Sequence, residues 1–374
     1  MPVITPRLRL RRSQKGASAF APKGAARDRL SDLASVKENP GNLVARCYVP
    51  EGLEAGAPLV VVLHGCTQNA AVYDHGAGWS TLADRHGFAL LYPEQQRANN
   101  PMLCFNWFER GDTARGRGEP ASIVSMVEAM VEQHGVDRTR VFVTGLSAGG
   151  AMSSVMLATY PDLFAGGAII AGVAYGGADS VGDAFEWMAG RGRGDAASLA
   201  RTVRGASRHA GPWPRVQVWH GGADSTVVPA NAESIVVQWA ALHGVGPEPH
   251  RTDEVGGFPR RAWLGAGGEP VVEHYSIPGM GHGVPLAASA GEEALGAAGA
   301  HMLEVGLSST QVIADFFGIA GEARPRAAAR PVREAEAKQQ VAKPAAPRPA
   351  AKPRPASGPQ AVIEKALRAA GLMR

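Results

Sequence analysis

The chain has 374 residues, of which 45% are hydrophobic, so it can bury the core of one main domain of about 290 residues. Its net charge of +4 is uneven: residues 1–30 carry eight Lys or Arg and one Asp, residues 321–374 carry twelve Lys or Arg and four Glu, and residues 31–320 are left at −11. An acidic body argues against nucleic-acid binding, no stretch approaches the ~18 apolar residues of a membrane span, and three cysteines without a C-x-x-C pattern argue against a structural zinc site or a disulfide scaffold.

Both ends of the chain are predicted to lie outside the folded domain, which spans residues 36–320. Residues 1–35 are predicted to form a basic, poorly ordered arm. This arm lacks the apolar core of about 7–15 residues that a secretory signal needs, so a cytoplasmic location is the default expectation. Residues 321–358 are rich in Ala, Pro, Lys and Arg, which predicts a disordered linker, and residues 359–374 are predicted to form a short helix. The basic tails leave open a contact with an acidic surface or a polymer.

Between these tails, predicted strands alternate with predicted helices. Short β-branched and aromatic runs predict strands, and apolar stripes at helical spacing predict helices. The predicted elements are strands at 43–49 and 58–63, a helix at 79–86, a strand at 88–92 that ends before Pro93, a helix at 119–134, a strand beginning at 141, a helix at 148–160, strands around 168–170 and at 216–219, a helix at 230–243, a strand at 271–277 and a helix at 309–317. This alternation predicts an α/β fold with a mostly parallel sheet covered on both faces.

Two segments depart from the alternation. Residues 93–118 form a long loop, and loops of this length are uncommon unless they serve a site. Residues 176–212 are rich in Gly, Asp and Arg with one helical piece, and are predicted to form a lid-like insertion.

The predicted nucleophile is Ser147. It lies in Gly145-Leu-Ser-Ala-Gly149, which fits the pattern G-x-S-x-G, after a predicted strand and before a predicted helix. This strand–turn–helix context is that of a nucleophile elbow, in which a sharp turn exposes the serine oxygen at the top of a sheet. The alternative is a Gly-rich phosphate-binding turn, which is disfavoured because no Gly-Lys-Ser/Thr follows.

A serine hydroxyl needs a base to take its proton, and the base needs an orienting carboxylate. Asp224 and His282 follow two later predicted strands in the order Ser, acid, His. We therefore predict a catalytic triad of Ser147, Asp224 as the orienting acid and His282 as the general base and acid. Asp179 and Asp183 are competing acids, but they lie in the predicted insertion rather than at a strand end.

Four other histidines are alternative candidates for the general base. His274 lies within a strand pattern and is interpreted as a packed residue, whereas His220 ends a strand and is interpreted as structural. His64 is interpreted as stabilising a turn. His301 remains a competitor to His282.

Ester hydrolysis also needs two backbone N–H groups directed at the developing oxyanion. The predicted donors are Ala148, which follows the nucleophile, and Cys66, in the loop after an early strand. A catalytic role for the Cys66 thiol is disfavoured because a complete serine set is present. A Cys66–Cys104 disulfide is left open, since both residues fall near the predicted site.

Three aromatic residues are candidate substrate contacts. Phe105 and Trp107 lie in the long loop, either as an aromatic wall for an acyl or hydroxyacyl chain or as a hydrophobic plug beneath the loop. Tyr175 follows a predicted strand and is a further candidate for the cleft.

Taken together, the motifs resemble those of the polyhydroxybutyrate (PHB) depolymerase family of esterases. They are His64-Gly-Cys-Thr-Gln68, Cys104-Phe-Asn-Trp-Phe108, Arg115-Gly-Arg-Gly-Glu-Pro120, Gly145-Leu-Ser-Ala-Gly-Gly150, His220-Gly-Gly-Ala-Asp224 and Gly279-Met-Gly-His282. The resemblance covers about residues 40–318. It implies an α/β-hydrolase fold, hydrolysis of carboxylic esters such as poly(3-hydroxybutyrate) or its oligomers, and the same triad with Cys66 as an oxyanion residue. No cofactor is predicted.

Other functions stay open at this stage. Esterases related to this family act on feruloyl or acetyl groups of plant polysaccharides. Many family members are secreted, and those acting on solid polymer often carry a binding domain; the sequence shows neither a signal nor such a domain. A serine peptidase on the same fold and a non-catalytic surface-binding protein are the rival classes. The sequence predicts no oligomeric state.

Overall fold

The computed structural model describes residues 28–192, 194–291 and 294–320. The predicted linker at 321–358, the helix at 359–374 and most of the basic arm lie outside the described residues, so they remain predictions, as does any contact made by the tails. The predicted end of the arm at residue 35 is too late. Residues 28–35 pack on the domain, because Leu30 and Leu33 are buried and Arg29 pairs with Asp84.

The described elements follow the predicted alternation. In chain order they are β1 (Ser31–Asp32), β2 (Val44–Tyr48), β3 (Leu59–Leu63), α1 (Ala70–Ala77), α2 (Trp79–His86), β4 (Ala89–Glu94), a 3-10 turn (Arg110–Asp112), α3 (Gly118–His134), β5 (Val141–Leu146), α4 (Ala148–Thr159), β6 (Phe164–Ile170), α5 (Val181–Met188), α6 (Ala196–Gly205), β7 (Arg215–Gly221), α7 (Ala230–His243), β8 (Arg251–Val255), β9 (Phe258–Leu264), β10 (Pro270–Ile277), β11 (Val284–Leu286), β12 (Met302–Glu304) and α8 (Ser309–Phe317).

Ten of these strands form one sheet, in the spatial order β1-β2-β4-β3-β5-β6-β7-β10-β9-β8. The strands from β4 through β10 in this order run parallel. At one edge, β2 runs antiparallel to β4, and β1 runs antiparallel to β2. At the other edge, β9 runs antiparallel to β10, and β8 runs antiparallel to β9. The prediction of a mostly parallel sheet covered on both faces, as in an α/β-hydrolase fold, is confirmed.

The central strand β3 shows why the sheet sits inside the molecule. All five of its residues are fully buried. Val61 and Leu63 belong to the apolar layer beneath α3, α4 and α7, whereas Val60 and Val62 belong to the opposite layer, beneath α1, α2 and α8. Successive side chains of a strand point to opposite faces, so an unbroken β-branched run requires apolar cover on both. Each such side chain contributes roughly 1.5–3 kcal/mol on burial.

Several features differ from the sequence prediction: the insertion holds two helices, α5 and α6, rather than one, and β1, β11 and β12 were not predicted. Pro93 lies inside β4 rather than beyond it, because β3 pairs only with residues 89–91 and Pro93 faces β2 alone. The helix α1 was not predicted; Asn69 caps it by accepting a hydrogen bond from the Val72 N–H at 2.9 Å. The β8–β9 hairpin was also missed, since its polar, largely exposed first strand lacks an apolar alternation.

The long loop, which in the structure runs from 95 to 117, is held from below by the buried carboxylate of Glu119. Its oxygens accept hydrogen bonds from the Asn106 N–H at 2.9 Å and from the Gln95 side-chain amide. Burial raises the pKa of Glu119, and the nearby carboxylate of Asp112 adds to the rise. An ion pair at 2.8 Å between Arg110 and Asp179 joins this loop to the insertion, which contains α5 and α6. No helix among the described residues is long and apolar enough to cross a bilayer.

Candidate active site

Ser147 sits at the turn between β5 and α4 in an unusual backbone conformation. Its φ of 58° and ψ of −117° are rare for a residue other than glycine and store strain. Two hydrogen bonds hold the turn: the Ser147 N–H donates to the Ile170 carbonyl at 2.9 Å, and the Ala151 N–H donates to the Ser147 carbonyl at 2.8 Å. The sequence pattern G-x-S-x-G thus forms a nucleophile elbow.

The glycines of the pattern are needed because backbone segments approach closely here. A Cβ atom on Gly149 would lie 2.1 Å from the Leu63 carbonyl oxygen. A Cβ atom on Gly145 would lie 2.5 Å from the carbonyl carbon of Gly149. Side chains at either position would push the elbow away from β3, so glycine permits the packing that exposes Ser147.

Asp224 and His282 follow β7 and β10, two neighbouring parallel strands, and their side chains meet. His282 Nδ1 lies 2.7 Å from Asp224 Oδ2. The other carboxylate oxygen of Asp224 accepts hydrogen bonds from the N–H groups of Thr226 at 2.8 Å and Val227 at 3.0 Å. Asp224 is 3% exposed, so its carboxylate is held almost without solvent contact.

The electrostatics of this pair keep Asp224 ionised. Burial alone would raise the pKa of Asp224, but contacts with His220, with His282 and with the Val227 N–H hold it well below its usual range. The carboxylate therefore accepts a hydrogen bond from the N–H at Nδ1 of His282. With the proton fixed on Nδ1, the Nε2 atom of neutral His282 is an acceptor, the form that a general base requires.

Ser147 and His282 line the same small cavity, which has about 280 Å³ of open space. The competing acids lie elsewhere. Asp179 pairs with Arg110 at the surface, and exposed Asp183 accepts a hydrogen bond from the Ser180 hydroxyl at 2.7 Å. The geometry therefore brings together the three residues that the sequence singled out.

The remaining histidines have structural surroundings. His64 accepts a hydrogen bond from the Gln95 N–H on Nε2, and burial lowers its pKa to about 4. His274 lies 2.6 Å from Arg261, and burial lowers its pKa to about 3, so both rings are neutral. His220 Nε2 lies 2.7 Å from the Val227 carbonyl and 3.5 Å from Asp224 Oδ2, a second contact on the acid that the sequence did not reveal. His301 lines the cavity beside His282.

The two predicted oxyanion donors border the same cleft. Cys66 and Ala148 both line the space next to Ser147. Within the described residues, neither backbone N–H has a hydrogen-bond partner, so both are available to an oxyanion. Cys66 is joined to Cys104 by a disulfide, which ties the loop after β3 to the long loop at 95–117.

This disulfide leads to a prediction for the double variant Cys66→Ser/Cys104→Ser. The substitution keeps the backbone N–H of residue 66 but frees the loop that carries it. We expect kcat for p-nitrophenyl butyrate to fall about 10–100-fold, less than the loss of one oxyanion donor. The free energy of unfolding should fall by about 2–4 kcal/mol. Steady-state kinetics and denaturant unfolding measure the two effects.

The matched control is Cys47→Ala, which removes a buried thiol that lies outside any disulfide. It should keep wild-type kcat. Wild-type turnover in the double variant would show that the bridge has no part in holding the loop that carries the predicted donor, Cys66.

A larger cleft, with about 630 Å³ of open space, also borders Ser147. Its walls are mainly apolar and include Trp107 from the long loop and Phe185 and Met188 from α5. Of the three aromatic residues predicted to contact substrate, only Trp107 borders this cleft. Phe105 is fully buried against the His64 ring, so it is the hydrophobic plug beneath the loop. Tyr175 lies outside the lining and donates its hydroxyl to the Thr113 carbonyl at 3.1 Å.

The α5 residues were missed because nothing in the sequence of the insertion indicates which face of its helix meets the cleft. Their apolar spacing along Val181–Met188 is that of any amphipathic helix. Met188 packs against Ala151 and Val227, which are remote in sequence, and this face of α5 lines the cleft beside Ser147.

The chain is similar to several known proteins. Residues 43–249 match the family model described as esterase PHB depolymerase. The chain is 47% identical over 293 residues to poly(3-hydroxyalkanoate) depolymerase C of Paucimonas lemoignei, covering 78% of this chain and 70% of that protein. It is 30% identical over 277 residues to acetylxylan esterase A of Aspergillus oryzae, covering 72% of this chain and 87% of that protein. The solved structure of the acetyl xylan esterase from Aspergillus awamori matches with a TM-score of 0.62 at 28% identity, over 68% of this chain and 93% of that one.

Proposed function

Because this chain belongs to the esterase family of PHB depolymerases and is a carboxylic-ester hydrolase, we propose that it cleaves esters of hydroxyalkanoates through Ser147, His282 and Asp224. Ser147 attacks the ester carbonyl and gives its proton to His282. The tetrahedral oxyanion is stabilised by the Cys66 and Ala148 N–H groups, and protonated His282 passes its proton to the departing alcohol. Water then hydrolyses the acyl-enzyme by the same steps, which restores Ser147.

The observation that carries this proposal is the ionised Asp224 hydrogen-bonded at 2.7 Å to His282, beside a serine on a strained elbow. A binding protein would have no need for a buried carboxylate that orients an imidazole toward such a serine. The same arrangement would serve a peptidase, but the family and the named relatives support ester bonds.

The large cleft supports an acyl chain of a few carbons. Its mainly apolar lining, which includes Trp107 and Met188, favours the methylenes of a longer acyl chain over an acetyl group. The relative named as a poly(3-hydroxyalkanoate) depolymerase is also more similar in sequence than the acetylxylan esterases. Acetyl-ester hydrolysis is the second candidate, supported by the acetyl xylan esterase structure with its TM-score of 0.62.

A panel of substrates at pH 8 tests the proposal. We expect hydrolysis of p-nitrophenyl butyrate and of 3-hydroxybutyrate oligomers, with kcat/KM for the butyrate ester about 10-fold above that for p-nitrophenyl acetate, because two further methylenes enter an apolar cleft. Acetylated xylan, methyl ferulate and a peptide amide complete the panel. A suspension of poly(3-hydroxybutyrate) should release 3-hydroxybutyrate if the cleft accepts a polymer chain whose further units extend outside it.

Two outcomes would redirect the proposal. Faster turnover of acetyl esters than butyrate esters, together with release of acetate from xylan, would favour the second candidate. Absence of turnover on every ester would contradict the proposed activity altogether.

A further inference from the structure

The two cavities beside Ser147 differ in the side chains that border them. The small cavity is bordered by His282, together with His301, Gln68 and Thr67, whereas His282 is not part of the described lining of the large cleft. Protonated His282 must deliver its proton to the leaving oxygen, so the leaving alcohol lies on the side of His282. The small cavity is therefore the leaving-group side, and the large cleft is the acyl side.

Gln68 brings an unused hydrogen-bond donor to this side. Its Oε1 accepts a hydrogen bond from the Gly65 N–H at 2.9 Å. A backbone N–H only donates, so this contact fixes which end of the amide is oxygen. The Nε2 atom has no partner within the described residues, although the side chain is 94% buried. A buried amide donor without an acceptor costs free energy, which a ligand acceptor would recover.

His301 confines the same cavity. Its Nδ1 lies 3.1 Å from the His282 carbonyl oxygen, and its ring packs edge-on against the His282 ring at 5.8 Å between centroids. It holds this position with a φ of 59°, which is rare for a residue other than glycine. The imidazole is thus held against His282, and it borders the small cavity together with Gln68.

We infer that Gln68 is a specificity-determining residue whose Nε2 donates a hydrogen bond to a carbonyl or carboxylate oxygen of the leaving alcohol. The ligand class is the 3-hydroxyacyl unit. When an ester made through the hydroxyl of such a unit is cleaved, the leaving oxygen is on C3 of the unit. The unit's own carbonyl carbon is C1, only two carbons away. Simple alkyl alcohols lack this acceptor. The inference rests on the proposed ester hydrolysis and extends it to the alcohol side.

Two esters with one acyl group test this contact. Methyl 3-(butyryloxy)butanoate and sec-butyl butyrate both deliver a butyryl group, but only the first has a carbonyl on its leaving alcohol. We expect Gln68→Glu to lower the ratio of their kcat/KM values about tenfold, because it keeps an acceptor for the Gly65 N–H and removes the donor. Gln68→Met, without charge, should lower the ratio as well. Gln133→Glu, an exposed change on α3, should leave it unchanged.

A structural role for Gln68 would give a different result. If both Gln68 variants slow the two esters and p-nitrophenyl butyrate by one common factor, Gln68 only shapes the Cys66 loop and the inference is wrong. Ser147-dependent hydrolysis of p-nitrophenyl butyrate in that case would leave the proposed function standing. If the wild type hydrolyses none of the three, the proposed function fails, and this inference fails with it.

A measurement on the wild type alone covers the case in which the variants do not fold. The butyryl-enzyme formed from p-nitrophenyl butyrate can be captured by added alcohols in place of water. Methyl 3-hydroxybutanoate should capture it about tenfold more efficiently than 2-butanol at equal concentration. Equal capture would overturn the inference.

Discussion

Ser147→Ala should lower kcat for p-nitrophenyl butyrate by about 10⁵–10⁶-fold, because removal of a triad nucleophile leaves only binding and oxyanion stabilisation. The expected loss is confined to kcat and does not extend to the stability of the fold. The elbow is held by the Ser147 backbone bonds to Ile170 and Ala151 rather than by its hydroxyl. Thermal unfolding should therefore stay close to that of the wild type.

The control is Ser234→Ala, which removes a hydroxyl that bonds only within α7. It should retain wild-type turnover. A sulfonyl fluoride provides an independent readout, because mass spectrometry should find one covalent adduct on Ser147 in the wild type and in the control. A Ser147→Ala enzyme that keeps its rate, or an adduct on another residue, would contradict the assignment of the nucleophile.

The sequence predicted the elements whose signals are local. The fully buried run of β3 and the G-x-S-x-G pattern around Ser147 are each recognisable within a few residues, although the close approach that requires Gly149 is to the distant Leu63 carbonyl. Asp224 and His282 were predicted because parallel strands deliver their ends to the same edge of the sheet. Their hydrogen bond then joins residues that are 58 positions apart.

Features that depend on packing between distant segments could not be predicted in this way. Phe105 and Trp107 are two residues apart in an irregular loop, so no periodicity distinguishes the buried ring from the one at the cleft. The Cys66–Cys104 bridge stayed open because spacing does not determine pairing. The contact of His220 with Asp224 and the unpaired amide of Gln68 depend on side-chain orientation, which sequence patterns do not specify.

Asp224→Asn should lower kcat about 10³–10⁴-fold while the fold persists. The amide oxygen of Asn can still accept from the Thr226 and Val227 N–H groups, which now bond Oδ1 of Asp224. Its NH₂ group then faces His282 Nδ1 and can only donate. The imidazole must accept on Nδ1, which places its proton on Nε2 toward Ser147, so neutral His282 can no longer act as the base.

Asp183→Asn is the matched control, since it makes the same change on the competing acid of the insertion and should keep wild-type kcat.

The pH dependence of kcat and of the free energy of unfolding separates an orienting role of Asp224 from a structural one. The pKa of Asp224 is held below its usual range, so the wild-type carboxylate stays ionised and keeps orienting His282 at neutral and mildly acidic pH. As a depressed acid, it also contributes stability above its unfolded pKa that is lost as pH falls toward its folded pKa. Asp224→Asn should abolish this contribution at neutral pH. Equal kcat in the Asp224 and Asp183 variants would mean that His282 takes its orientation from another residue.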